Sequence, residues 1–215
     1  MTTFDCADPT ARRAGIAAAV QAARAGNLVV LPTDTVYGIG ADAFNAAAVA
    51  QLLAAKGRGP DMPVGVLVGS WTTIDGLVTA VSPVARRLVE AFWPGGLSLV
   101  VEHAPSLAWD LGNTGGSVMV RMPLDPVALE LLRTVGPMAV SSANVTGQPP
   151  ATTAAAAQAQ LGDKVAVYLE AGESSVGEPS TIVDLTGKVP RILRQGAESL
   201  DRIREVAGEV IPAGS

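Results

Sequence analysis

Three times this chain sets a capping side chain directly before a proline: Asp8-Pro9, Ser82-Pro83 and Asp125-Pro126. The side-chain oxygen satisfies free N–H groups of a first helical turn, and proline, which has no N–H to lose, suits the first helical position. Each pair therefore opens a helix. The first is expected to run to about Ala25, with Gly26 as its stop. Further helices read over 46–55, with Val49, Leu52 and Leu53 inward, from near Thr153 to Gly162, and over 198–207, with Leu200, Ile203 and Val206 inward. Short strand-like runs fall between them, at 28–31, 35–39, 64–68, 97–102, 117–122, 138–141, 165–169, 181–185 and 191–194. Helix and strand in alternation predict an α/β fold. Gly95-Gly96 and Gly115-Gly116 open two neighbouring strands whose closeness implies antiparallel pairing, so the twisted sheet should mix parallel and antiparallel strands.

A chain of 215 residues, 48% of them hydrophobic, can bury one sizeable core. Residues 1–215 are therefore expected to form a single domain, with a core over roughly 12–198, a final helix at 198–207 and a short tail at 212–215. Aromatic residues make up only 4%, so Val, Leu, Ile and Ala must fill the interior. The formal charge of -5 argues against a broad cationic face for nucleic acid but allows a local basic pocket. The single Cys6 excludes an intrachain disulfide and a multi-cysteine metal site. His103 is the only histidine, so any triad would have to use it; at an expected strand end it reads as a surface residue. The first five residues lack the basic and apolar regions of a signal peptide, and no apolar run reaches roughly eighteen residues. A cytoplasmic location is expected, with no membrane contact.

Two short motifs carry most of the chemical information. Lys56-Gly57-Arg58 follows a helix on a segment stiffened by Pro60 and Pro63. A lysine there can offset the negative helix end, and Gly57 can terminate the helix. That does not account for Arg58. If the segment is extended, both cations point the same way and can bracket a polyphosphate. Ser141-Ser142-Ala143-Asn144 follows an apolar strand and leads into a long turn. Local turn bonding explains it, and so does a ligand site at a strand's carboxyl end. Ser117, Met119 and Arg121 alternate onto one strand face, opposite the apolar Val118, Val120 and Met122. Arg121 must reach solvent or meet an anion there, such as the carboxylate of an amino acid. Pro179-Ser180-Thr181 and Arg194 repeat the polar style. Gly38 to Ala43 fits G-x-G-x-x-A, but it lacks the context of a dinucleotide site, and no P-loop motif occurs.

Seven motifs occur in one order: Pro32-Thr33-Asp34-Thr35-Val36-Tyr37-Gly38, Lys56-Gly57-Arg58, Phe92-Trp93-Pro94-Gly95, Val120-Arg121-Met122-Pro123, Ser142-Ala143-Asn144, Pro179-Ser180-Thr181 and Leu193-Arg194-Gln195-Gly196. The set resembles the YrdC-like family of threonylcarbamoyl-AMP synthases, over roughly residues 12–198. The resemblance implies an α/β sheet around a large open cavity. It also implies a nucleotidyltransferase that condenses L-threonine, bicarbonate and ATP to threonylcarbamoyl-AMP, releasing pyrophosphate. By the same resemblance, Lys56, Arg58, Ser142 and Asn144 form a nucleotide-binding tetrad, with Lys56 and Arg58 catalytic. Ser117 and Arg194 also face ATP, while Thr33, Thr35, Tyr37, Arg121, Ser141 and Thr181 serve threonine. No protein metal ligands are implied; Mg2+ is expected with ATP. The product would pass to the tRNA threonylcarbamoyl transferase complex, with direct tRNA binding weak or absent. Leu67 stands where some longer relatives have histidine, and the chain matches the short form without a second domain. The alternative is a YrdC-like RNA-binding module for tRNA or ribosomal RNA without ATP turnover.

Overall fold

The computed structural model describes residues 1–214. In chain order its elements are β1 (Thr2–Asp5), α1 (Pro9–Arg24), β2 (Val29–Leu31), β3 (Gly38–Asp42), α2 (Ala46–Ala55), β4 (Gly65–Leu67), α3 (Ile74–Leu77), α4 (Pro83–Phe92), β5 (Leu97–Glu102), β6 (Ser117–Arg121), α5 (Pro126–Val135), β7 (Met138–Ser142), α6 (Ala154–Leu161), β8 (Val167–Glu170), β9 (Thr181–Asp184), β10 (Arg191–Arg194) and α7 (Leu200–Ala207). The capping expectation holds at all three prolines. Asp8 accepts from Ala11 N at 2.7 Å, Ser82 from Ala85 N at 3.1 Å, and Asp125 from Val127 N and Ala128 N, both at 2.9 Å.

The strands form one mixed sheet in the order β1-β8-β2-β3-β7-β4-β6-β5-β9-β10. Strands β1, β8 and β2 run parallel, and β3 turns back against β2. Antiparallel pairs β3–β7, β7–β4, β6–β5 and β9–β10 alternate with parallel pairs β4–β6 and β5–β9. The two-residue period of β2 separates two cores: Val29 and Leu31 belong to the one that includes Ile16, Val20, Leu131 and Leu132 of α1 and α5, while Val30 belongs to the one that extends along the sheet to Leu52, Leu88 and Ile203 of α2, α4 and α7. Val, Leu, Ile and Ala supply most of both cores.

Two expectations about the elements need correction, at residues 35–37 and at the start of the last helix. Residues 35–37 are loop, and the strand begins at Gly38. Thr33 Oγ1 donates to Val36 O at 2.6 Å, a local bond that competes with strand pairing. The G-x-G run lies within β3, where Cβ atoms at Gly38 and Gly40 would stand 2.6 Å and 3.2 Å from Val140 methyls. These glycines serve strand packing, not a phosphate turn. The final helix starts after Ser199, which caps it by accepting from Arg202 N at 3.3 Å. Strand β1 and the short α3 were not expected: β1 is a mostly exposed edge strand without an apolar run.

The end of α2 orients the first motif. Lys56 is the helix cap in helical backbone conformation, and Gly57 follows at φ 67°. Gly57 N donates to Ala54 O at 3.0 Å and Arg58 N to Leu53 O at 2.9 Å, the paired bonds of a Schellman ending. The segment is therefore not extended, and Lys56 and Arg58 diverge. Nothing stands within 4 Å of a Cβ at Gly57 or at Gly76, so only backbone conformation distinguishes these two sites. Gly57→Ala should lower unfolding free energy by about 1–2 kcal/mol, and Gly76→Ala, at ordinary φ within α3, should raise it by up to about 1 kcal/mol. Urea denaturation of both variants measures this; equal effects would refute the conformational argument.

Candidate functional site

Strand β4 and the carboxyl ends of β6 and β7 meet the starts of β5 and β9 and the loops 33–37 and 58–64 around a cavity of about 480 Å³. That volume lies within the usual range of small-molecule sites, roughly 300–1,000 Å³. Hydroxyls of Thr33, Thr35, Ser98, Thr114, Ser117, Ser141, Ser142 and Ser180 line it, together with three arginines, Arg58, Arg121 and Arg194. Among the described residues no carboxylate, histidine, cysteine or lysine lines it, and no group of three or more such acid, His or Cys residues could hold a metal ion. The cavity is thus cationic and hydroxylated. It offers hydrogen-bond donors to anions and no general base.

Arg121 is the most buried of the three arginines. Its guanidinium donates from Nε to Gly95 O at 2.8 Å, from Nη1 to Thr35 Oγ1 at 2.7 Å and from Nη2 to Asp34 Oδ1 at 2.6 Å. The alternative of a solvated arginine is excluded: Arg121 is 6% exposed and its first anion is Asp34. Burial favours loss of its proton and Asp34 opposes that, so the guanidinium stays charged. Two of its five N–H groups remain uncommitted. A bond chain continues outward. Because Thr33 gives its proton to Val36 O, Thr35 must donate across the 3.1 Å contact to Thr33. Thr35 Oγ1 keeps one lone pair for an incoming donor.

Arg58 and Arg194 flank the cavity. Arg58 donates to Thr146 Oγ1 at 2.9 Å and Ser141 Oγ at 3.3 Å. Arg194 bonds Ser180 through Nε and Nη2, and Ser180 shares a 2.8 Å bond with Ser98. Burial pulls the pKa of both arginines down, and Arg121 adds to the effect at Arg194. An anionic ligand would reverse that penalty.

Nine of the twelve expected site residues line this one cavity: Thr33, Thr35, Tyr37, Arg58, Ser117, Arg121, Ser141, Ser142 and Arg194. Tyr37 lines it without a free hydroxyl, because its OH meets Glu170 at 3.0 Å, Gly172 O at 2.7 Å and Ala171 N at 3.0 Å. Three residues stand elsewhere. Lys56 is fully buried and donates to the carbonyls of Ser142 and Asn144. Asn144 turns its amide into the loop, donating to Val145 O and Gln148 O, and its buried Oδ1 has no partner. Thr181 points away from the cavity, and its Oγ1 ties Gly196 and Glu198 into a turn. Ser180, just before β9, and Ile182 on it are the residues that face inward. Ser98 and Ser180 were missed as lining residues, although the two-residue period of a strand places Ser180 and Thr181 on opposite faces.

A cavity of arginines and hydroxyl residues at strand ends of a mixed sheet defines the class of protein; comparison defines the family. The family model Sua5_yciO_yrdC, described as "Telomere recombination", matches residues 21–196. A Mycobacterium tuberculosis (strain ATCC 25618 / H37Rv) protein named "Putative threonylcarbamoyl-AMP synthase" is 67% identical over 206 residues, 96% of this chain and 95% of that protein. The crystal structure of P. abyssi Sua5 complexed with L-threonine superposes with a TM-score of 0.91 at 32% identity. That match covers 99% of this chain, which spans only 62% of the P. abyssi chain. E. coli YciO shares the fold, at TM-score 0.80 and 22% identity over 89% of this chain and 93% of that one. The chain belongs to the Sua5/YciO/YrdC family.

The Asp34–Arg121 contact generates a prediction. Asp34→Ala leaves a buried guanidinium without its counter-charge and should cost about 3–5 kcal/mol of unfolding free energy. Arg12–Glu130 is a pair with side chains 29% and 45% exposed, and Glu130→Ala should cost no more than about 1 kcal/mol. Chemical denaturation of both variants is the measurement; a small loss at Asp34 would mean that the pair does not hold the site.

Proposed function

We propose that this chain is a threonylcarbamoyl-AMP synthase, converting L-threonine, bicarbonate and ATP to threonylcarbamoyl-AMP, pyrophosphate and water. The observation that carries the proposal is the cavity lining: three arginines among hydroxyls with no carboxylate or histidine, in a chain of this family. The names of the mycobacterial relative and the threonine complex of the P. abyssi protein support it. In this reaction the threonine amine attacks the carbon of bicarbonate and water is lost. An oxygen of the resulting carbamate then attacks the α-phosphorus of ATP, and pyrophosphate leaves. Both nucleophiles belong to substrates, so orientation and charge stabilisation suffice.

The roles follow from the unspent groups. Arg58 retains three N–H groups and Arg194 two, enough to hold a polyphosphate at the outer wall. Ser142 adds a hydroxyl there, and Ser117, whose proton goes to Thr114 O at 2.9 Å, would have to turn from that carbonyl to add a second. The two spare N–H groups of Arg121 suit the threonine carboxylate, and the lone pair of Thr35 suits the threonine hydroxyl. The lining does not fit a protein-held metal, since it offers no carboxylate; Mg2+ is expected to arrive on ATP. No helix among the described residues is long and apolar enough to cross a membrane. Transfer of the product to a tRNA threonylcarbamoyl transferase complex is part of the proposal. The acidic net charge weighs against the RNA-binding alternative, because RNA affinity needs many cationic contacts.

Pyrophosphate release should require both threonine and bicarbonate. Arg58→Ala should lower kcat/KM by the equivalent of about 2–4 kcal/mol while the fold survives. Omission of each substrate in turn, followed by the variant, is the assay. Equal release without threonine would refute the function, and normal turnover of the variant would refute the role of Arg58.

Amino-acid choice tests the inner wall. Loss of the methyl, as in serine, should cost ~1–3 kcal/mol. Valine should fare worse, since it leaves the lone pair of Thr35 unpaired in a buried place. Specificity constants for the three amino acids at saturating ATP and bicarbonate give the order. Valine equal to serine would mean that the hydroxyl is not recognised.

A further inference from the structure

Lys56 and Arg58 are not equivalent cations on one loop. Arg58 lines the cavity, whereas Lys56 is 0% exposed and stands behind the wall. Its ammonium bonds two main-chain carbonyls, Ser142 O and, at 2.6 Å, Asn144 O. Thr146 N returns a bond to Lys56 O at 3.0 Å, and Arg58 bonds the side chains of Ser141 and Thr146. The two motifs thus form a clasp, with Lys56 fixing the turn that presents Ser141 and Ser142 to the cavity.

This ammonium has no counter-charge. The ion pairs among the described residues are Arg12–Glu130, Arg86–Asp75, Arg121–Asp34 and Arg202–Glu198. The charge that acts on Lys56 is positive. Arg58 stands beside it on its own loop, and Lys164, after α6, bonds Ala55 O at 3.5 Å. From α6 the neutral Gln160 bonds Val145 N and Pro149 O, and β7 brings the neutral Ser141 and Ser142. Burying a cation among carbonyl dipoles alone is costly, and a like charge nearby raises the cost. Burial first, then Arg58, pull its pKa down to about 7. The cavity in front of Arg58 and Ser142 is where an anion would come near enough to compensate.

We propose that Lys56 is a positioning residue whose missing counter-charge is the polyphosphate itself: an anion bound at Arg58 and Ser142 locks the Lys56 ammonium onto the Ser142 and Asn144 carbonyls, and nucleotide binding takes up a proton from solvent. The inference rests on the ATP-binding function proposed above. The balance is simple, since the neutral amine gains one solvent proton and no bond to the ligand forms. The sign follows from linkage: a ligand that raises the proton affinity of Lys56 binds more tightly where Lys56 is already protonated.

The chain has three lysines, Lys56, Lys164 and Lys188, so ε-13C-lysine labelling gives a readable spectrum. The full chain is titrated from about pH 6 to 11, without ligand and with ATP alone, while calorimetry follows ATP affinity. The expected result is one lysine titrating near 7 that moves up by at least about one pH unit with ATP, a tenfold gain in proton affinity. ATP affinity should then fall by up to about tenfold per pH unit above 7, until the new midpoint is reached. Lys56→Met should remove that resonance and flatten the pH dependence. If the variant does not fold, the low-titrating resonance of the wild-type chain remains the readout. Three lysines titrating above about 9.5, or ATP binding that leaves the low one unmoved, would overturn the inference with the nucleotide site intact. Failure of ATP to bind at any pH would overturn the nucleotide site as well.

Discussion

Asp34 and Arg121 meet at 2.6 Å with side chains 6% and 8% exposed, and four segments hang on the contact. Asp34 Oδ1 also accepts from Leu124 N, and Asp34 O accepts from Val176 N and Ser175 Oγ. Arg121 reaches Gly95 O and Thr35. The loop before β3, the end of β6, the turn before β5 and the loop before β9 are thereby held in one arrangement. Desolvation of two charges roughly cancels their attraction, so the pair is better understood as a device of position than of stability. A hydrophobic pair could fill the same volume, but it would offer nothing to a carboxylate. Arg121 does both, because its planar fork has five donors and the protein uses three.

The sheet explains why the functional groups converge. Antiparallel β3 and β7 lie between β2 and β4, so the loop before β3 and the end of β7 fall side by side, with Gly38 opposite Ser142. Parallel pairing of β4 with β6 and of β5 with β9 carries Arg121 and Ser180 to the same region. Small residues allow the approach. A Cβ at Gly65 would lie 2.4 Å from the Met119 methyl, on the cavity wall itself. The cavity is thus a consequence of strand order and of what the strands lack, as much as of the residues that line it.

Much of this was legible in the sequence, and the failures have identifiable causes. Caps act within a few residues, so Asp8, Ser82 and Asp125 could be recognised directly. Strand parity is also local, and it placed Ser117 and Arg121 on the cavity face. Strand order was not legible, because pairing such as β1 with β8 depends on contacts about 165 residues apart in sequence. The direction of Lys56 was lost for another reason. One positive φ at Gly57 turns the chain between the two cations, and an extended reading of the same three residues gives the opposite geometry. Thr181 was misassigned by one position of strand parity, since its neighbour Ser180 faces inward. The partner of Arg121 lies 87 residues away, so its burial could not be foreseen from its own strand.

The lining also limits how the proposed chemistry can proceed. Three anionic groups must be brought together: a polyphosphate, bicarbonate and the threonine carboxylate. Their mutual repulsion is a barrier before any bond forms. A cavity with acidic residues would raise that barrier, and one open on all sides would leave it to water. Here the fixed charges on the wall are three arginines, each already oriented by bonds to the protein: Arg58 by Thr146, Arg121 by Asp34 and Arg194 by Ser180. Donors that are held in place before the ligand arrives need no reorganisation when charge moves between carbamate and phosphate. Where threonine reacts as the free amine no general base on the wall is required, since the proton it loses leaves with the hydroxide of bicarbonate as water, and pyrophosphate is an anion that arginine stabilises directly. The scarcity of titratable lining groups and the density of fixed donors are therefore one property, that of a site working by placement of charge.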